Sequence, residues 1–294
     1  MVKPVVIDLV AYSTGRMTSP LSTPVPWQVP LSDFTRWMRG ADYPRSTQDK
    51  RLYHLRRFAV STQLDPWEAT TEQLLDYLGR HQWSAATKRS VRSTLRAFYS
   101  WAHADGRLDH DPAALLPKIT QPPGTPRPTP EHIVREALAT AGERERLMIL
   151  LAATASLRCC EICLVHVRDI IGGRGDYSLV VHGKGRKDRV VPIADSLARE
   201  LRERGVRNGG WVFEGQIDGH LSNKRVIELL ADALPGEWTG HTLRHRFASV
   251  AYQASGDIRA VQELLGHASV ATTQIYTAIG SDARRVAAMA AAVA

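Results

Sequence analysis

Tyr177-Ser178-Leu179-Val180-Val181-His182-Gly183-Lys184-Gly185-Arg186-Lys187-Asp188-Arg189-Val190-Val191-Pro192-Ile193 reads as β structure in a chain whose other periodic segments are helical. Two β-rich runs, 177–182 and 189–193, flank a turn that starts Gly-Lys-Gly, which is a hairpin signal. Working outward, residues 131–141 and 144–155 repeat apolar side chains at helical spacing on the N-terminal side. Residues 194–204, 222–234, 242–255, 258–265 and 270–277 do so on the C-terminal side. A last Ala-rich segment, 282–293, puts Val286, Met289 and Val293 on one side, as a docking helix would. The expected fold class is mainly α with a small β-hairpin sheet.

Further upstream the chain is divided by prolines. Pro122, Pro123, Pro126, Pro128 and Pro130 fall within a few residues of one another. No helix or central strand survives that density, so residues 119–130 read as a semi-rigid linker. Residues 31–118 read as a small helical domain. The pattern puts Leu52, Leu55 and Phe58 on one face of a helix over 47–61. Leu74, Leu75 and Leu78 share a helix over 70–81, with Thr70 or Thr71 as cap. The helix over 84–103 carries a core stripe of Val91, Leu95, Phe98 and Ala102. Lys88, Arg92 and Arg96 form a second stripe on it, with Arg89 alongside and no acidic residue to balance them. Gly106 stops that helix and Asp111-Pro112 is expected to begin another. Residues 1–30, rich in turn formers, read as a flexible arm, and 131–294 as the larger domain, a mixed α/β unit ending in the docking helix.

Composition narrows the function. The 294 residues include 38 Lys+Arg against 30 Asp+Glu, a net charge of +8. An apolar content of 44% supports packed cores and excludes wholesale disorder. No apolar run reaches the roughly 18–20 residues of a membrane span. The 5–10 stretch, led only by Lys3 and interrupted by Asp8, lacks the form of a secretory signal. Three cysteines, Cys159, Cys160 and Cys163, cannot build a disulfide framework, which points to a reducing cytoplasm. Cys160-x-x-Cys163 has metal-like spacing but no second pair, and reads better as small thiols packed in a buried helix. A basic chain of this kind suits a polyanionic partner.

Five short elements carry candidate chemistry. Arg158 and Glu161 follow an apolar helix and share a face at i, i+3. Lys184 stands between glycines at the hairpin tip, where a ligand can come close. His241 and Arg244 share a helix with His245, which lies four residues after His241. Gly266 ends a helix and puts His267 in the following turn. Tyr276 lies nine residues further on. Singly, each has an ordinary explanation as an ion pair, a solvated turn or a core side chain. Together, in this order, they resemble the tyrosine recombinases, the integrase family of site-specific DNA recombinases. The resemblance spans residues 145–277 by motif and, through the family's helical core-binding domain, residues 31–118. One departure is Ala155-Ser156, where the family usually has Thr-Gly.

The resemblance implies a core DNA-binding domain joined to a catalytic domain, cutting duplex DNA through a 3′-phosphotyrosyl intermediate without ATP, metal or other cofactor. It makes Tyr276 the nucleophile, Arg158 and Arg244 the holders of the non-bridging oxygens, and Lys184 the proton donor to the departing 5′ oxygen. It gives His241 and His267 the same phosphate or the activation of Tyr276, and Glu161 the orientation of Arg158 or His241. Lys88, Arg89, Arg92 and Arg96 would face DNA. Double-stranded DNA, four protomers on two synapsed sites, and host bending or directionality factors are the implied partners, with no membrane, in a bacterial cytoplasm beside the nucleoid. A phage integrase and a chromosome-dimer resolving recombinase are both compatible. Three rivals remain at this point: a type IB topoisomerase, a DNA-binding protein without cleavage, and a metal-dependent hydrolase using His241 and His245.

Overall fold

A computed structural model of the chain describes residues 22–120, 125–183 and 187–266. The chain splits into two compact units, 1–122 and 123–294, each with its own apolar core.

Among the described residues the first unit has four helices: α1 (Val25–Gly40), α2 (Arg45–Thr62), α3 (Thr71–Arg80) and α4 (Ala85–Ala104). Helix α1 starts inside the stretch expected to be an arm. Pro26 lies in the first turn, where a missing N–H costs nothing. Trp27, Leu31, Phe34 and Met38 then bury one face at four-, three- and four-residue steps, which outweighs the ladder bond lost at Pro30. Trp27 stacks on Phe98 of α4 at 5.4 Å and donates its indole N–H to the Leu64 carbonyl. The expected stripe of Val91, Leu95, Phe98 and Ala102 is buried. Leu75 departs from expectation: it is 39% exposed, and Tyr77 takes the buried place beside Leu74 and Leu78. Residues 112–115 form turns rather than the expected helix. Asp111 caps the Ala113 N–H at 2.8 Å, but Pro117 bars continuation.

The second unit is built around α6 (Glu143–Thr154), which buries Leu147, Met148, Ile149, Leu151, Ala152 and Ala153. Around it lie α5 (Glu131–Thr140), α8 (Asp195–Arg207), α9 (Asn223–Ala233) and α10 (Gly240–Ser255). The short α7 (Cys159–Ile162) follows α6, and α11 (Ile258–Leu265) follows α10. Strands β1 (Ile170–Ile171), β2 (Ser178–Gly183) and β3 (Lys187–Pro192) make one antiparallel sheet in the order β1-β2-β3. Its register pairs Val181 with Arg189 and Gly183 with Lys187. Leu179, Val181 and Val191 turn into the core, while Val190 faces out. A further short strand, β4 (Glu214–Ile217), precedes α9. Among the described residues no helix is long and apolar enough to cross a membrane. The segments 270–277 and 282–293, expected as helices, lie outside the described residues.

Candidate active site

The first part of the site is made where α6 ends. Ala155 caps the helix and Ser156 turns the chain in the left-handed region at φ 56°, which favours glycine. That is the position where the family pattern has Gly, and the turn forms here with a serine. Its hydroxyl donates to the Leu264 carbonyl at 2.9 Å. Arg158 then caps α7. Glu161, three residues into that turn, accepts the Arg158 backbone N–H at 2.8 Å.

Glu161 is the hub. Its side chain is 2% exposed, and one oxygen accepts Arg158 Nη1 at 2.7 Å. Arg189 of β3 reaches both oxygens, Nη1 to Oε1 at 2.9 Å and Nη2 to Oε2 at 2.8 Å. Burial pushes the Glu161 carboxyl up. The Arg189 bonds, the Arg158 amide and the two guanidinium charges outweigh that and hold it at about 2. The family resemblance implies that Glu161 orients Arg158 or His241. Its side-chain bonds go to Arg158 and to Arg189, which stands outside the family's short motifs. Strand alternation carried the signal, since Arg189 shares the inward face of β3 with Val191.

The second part is the start of α10. Gly240 lets the helix come close there, since a Cβ would stand 2.8 Å from Cys159 Sγ and 3.0 Å from Leu230 Cδ1 and both would have to shift. The close approach brings Arg244, 2% exposed, beneath the Arg158 turn. Arg244 donates from Nη1 to the Ser156 carbonyl and from Nη2 to the Leu265 carbonyl. Arg189 Nε donates to the Leu264 carbonyl at 2.8 Å, and Arg158 Nη2 lies 3.4 Å from that of Gly266. Gly266 caps α11 at φ 60°. Arg158 and Arg244 therefore converge on the end of one helix, and Arg158 keeps 35% of its side chain open to solvent.

His241 and His245 meet Nε2 to Nε2 at 3.0 Å. The Arg127 backbone N–H donates to His245 Nδ1 at 3.0 Å. Burial, then Arg244 and Arg158, lower the His241 pKa. Burial, then the neighbouring His241 and Arg244, take His245 down to about 4. Among the described residues no group of three or more His, Cys, Asp or Glu side chains is arranged to hold a metal. The cysteines are less buried than expected: Cys163 is inside, Cys159 is half-buried and Cys160 is exposed. At the hairpin base His182 sits between Asp169 at 3.2 Å and Asp188 at 3.1 Å. The Asp169 hydrogen bond leads in raising its pKa. Lys184, His267 and Tyr276 lie outside the described residues.

The basic face of α4 is mixed. Arg89 and Arg96 are exposed and Lys88 is half-buried. Arg92 bends onto the chain itself, with Nε and Nη2 donating to the Leu116 carbonyl at 3.2 and 2.6 Å. Its guanidinium ties the end of the first unit to α4.

Comparison with known proteins agrees with this geometry. Residues 130–282 match the phage integrase family. The chain is 35% identical over 258 residues to tyrosine recombinase XerC of Xanthomonas axonopodis pv. citri (strain 306), covering 82% of this chain and 77% of that protein. It is 30% identical over 261 residues to tyrosine recombinase XerA of Pyrococcus horikoshii, covering 85% and 88%. In fold it is similar to XerH site-specific recombinase bound to difH substrate (TM-score 0.66, 20% identity, 89% and 97% covered) and to a lambda integrase dimer bound to a COC' core site (TM-score 0.68, 19% identity, 91% and 83% covered). The chain belongs to the phage integrase family, the tyrosine-type recombinases that cut and rejoin DNA at specific sites.

Proposed function

We propose that Tyr276 attacks the scissile phosphate and that the two arginine boxes form its oxyanion clamp. The observation that carries this reading is the convergence of Arg158 and Arg244 on the carbonyls of Leu265 and Gly266, one residue before His267. In this arrangement the two guanidinium groups bind the non-bridging oxygens, and the charge that develops there is met by donors already oriented. Tyr276 Oη bonds to phosphorus as the bond to the 5′ oxygen breaks. Lys184 gives that oxygen its proton. His241 and His267 complete the oxygen contacts or take the tyrosyl proton. Glu161 and Arg189 hold Arg158 from behind. The ester keeps the bond's energy, so a 5′-hydroxyl from another strand reverses the attack without ATP. Arg89 and Arg96, with Lys88, serve the DNA backbone from α4.

The protein acts on double-stranded DNA in the cytoplasm, at the nucleoid, as four protomers on two synapsed sites, with host bending or directionality factors where the site requires them. We assign it an integrase role. A resolving role on chromosome dimers is the second reading, and it is compatible with the similarity to tyrosine recombinases XerC and XerA.

The test is Tyr276→Phe, which removes one oxygen and leaves a ring of nearly equal volume. Wild type and variant are mixed with end-labelled nicked site DNA and run on a denaturing gel. A slow, protease-sensitive band is expected from the wild type alone, with gel-shift binding equal in both. The same band from the variant overturns the assignment.

A further inference from the structure

The linker between the two units takes part in the site. Residues 125–130 lie along the first two turns of α10. The Thr129 N–H donates to the Thr242 carbonyl at 3.1 Å, and the two threonine hydroxyls are 2.8 Å apart and buried. The Arg127 guanidinium pairs with Glu237 and lies 4.7 Å over the Trp238 ring. The Thr129–Thr242 pair holds the backbone N–H of Arg127 against His245 Nδ1.

A backbone amide only donates, so His245 Nδ1 must be the lone-pair nitrogen. A neutral imidazole has one proton, and that proton is then on His245 Nε2. Across 3.0 Å stands His241 Nε2, which must accept it. The His241 proton is therefore on Nδ1. We infer that the docked linker, acting through His245, fixes His241 as the Nδ1–H tautomer, which makes His245 a positioning residue for His241. Both imidazoles are held neutral by burial and by the Arg244 charge, with Arg158 adding to it at His241, as the relay requires.

The consequence bears on the chemistry and rests on the phosphate-clamp reading above. His241 Nε2 is occupied by the His245 proton, so it cannot take the proton of a tyrosine. Nδ1–H is what His241 offers to an anion. His241 is thus a hydrogen-bond donor to the phosphate, and the tyrosyl proton goes elsewhere. The same relay disfavours a metal at this pair. A neutral His245 bound to metal through Nε2 would carry its proton on Nδ1, where the Arg127 N–H already points.

The test uses the full chain labelled with ¹⁵N-histidine, whose long-range ¹H–¹⁵N spectrum distinguishes the two tautomers. His241→Gln assigns the His241 signals. The expected wild-type pattern is His241 protonated on Nδ1 and His245 on Nε2. Arg127→Ala keeps the backbone donor and should keep the pattern. Arg127→Pro removes the donor and should release His241 into a mixture of tautomers. His245→Gln retains an N–H donor and should preserve the His241 signature, whereas His245→Ala should lose it. The His245→Ala cleavage rate should fall about two- to tenfold, the weight of one net hydrogen bond. His241 carrying its proton on Nε2 in the wild type overturns the inference. So does a His241 signature unchanged in both Arg127→Pro and His245→Ala. The spectra are read without DNA, so they stand whether or not Tyr276 proves to be the nucleophile.

Discussion

Replacing Arg189 by Met should destabilise the second unit by an amount that depends on pH in a defined way. The substitution keeps length and removes both side-chain bonds that Arg189 makes to Glu161, leaving the carboxylate 2% exposed with Arg158 as its only charged partner among the contacts described. Glu161 has an ordinary pKa of 4.5 and about 2 when folded. A carboxylate so depressed contributes stability above pH 4.5 and loses it as pH falls toward 2, because the unfolded chain takes up the proton first. The pKa difference corresponds to about 3 kcal/mol at pH 7, falling to about 1 kcal/mol at pH 3. Removing one partner of a buried pair costs about 3–5 kcal/mol on general grounds, which agrees. Urea unfolding at the two pH values, followed by hydrogen exchange in peptides from α6 and α7, isolates this unit from the other. Arg189→Met should lose up to about 3 kcal/mol at pH 7, since the Arg158 amide and guanidinium still favour the carboxylate, and less than half as much at pH 3. Equal losses at both pH values, or a loss under about 1 kcal/mol at pH 7, would refute the view that Arg189 holds Glu161 ionised.

Ser156 and the basic face of α4 are open to the same kind of test. Ser156→Gly relieves a left-handed residue worth about 1 kcal/mol and loses a hydroxyl bond worth about 1 kcal/mol, so its unfolding midpoint should stay near the parent's. Ser156→Ala loses the bond and keeps the strain, so it should be less stable than Ser156→Gly by about 1 kcal/mol in the same urea titration; the reverse order would mean that the left-handed backbone at this position costs nothing. On α4, Arg96→Ala should lower the slope of log K against log salt by about 0.9 with folding unchanged, if Arg96 meets a phosphate. Arg92→Ala should instead lower the melting temperature of the first unit, and a slope change without a stability change would place Arg92 on DNA after all.

The helices were legible in the sequence because amphipathic spacing and caps are local. Thr70 and Gly266 cap the elements their positions suggested. The start of α1 was not legible, because Pro24, Pro26 and Pro30 signal turns unless the buried stripe from Trp27 to Met38 is read alongside them. Arg158, Glu161, His241 and Arg244 could be selected because their boxes are short. Their partners could not. Glu161 and Arg189 are 28 residues apart in sequence. The Leu116, Leu264 and Leu265 carbonyls that take up Arg92, Arg189 and Arg244 are backbone atoms, which every residue type supplies equally. A side chain's charge is written in the sequence, but a backbone acceptor shows only once the fold brings it near.

Those carbonyls also explain how the site holds arginines without losing their charge. A carboxylate orients a guanidinium and neutralises it in the same act. Glu161 does so once, cancelling one of the two charges of Arg158 and Arg189. The end of α11 works differently. Its last carbonyls lack partners within the helix and carry the negative end of the helix dipole, a partial rather than a full charge. Arg244 is fixed there and at the Ser156 carbonyl, by neutral acceptors. Three guanidinium groups and one carboxylate thus leave a local charge of +2 in a largely buried setting, with Arg158 as its solvent-facing edge. That surplus suits a phosphate oxygen that gains charge during reaction. An acidic residue in place of the Leu265 carbonyl would orient Arg244 equally well and cancel the charge it is placed to supply. On this argument Gly266, whose left-handed cap ends α11 where its carbonyls face the arginines, matters to the site as much as a charged side chain does.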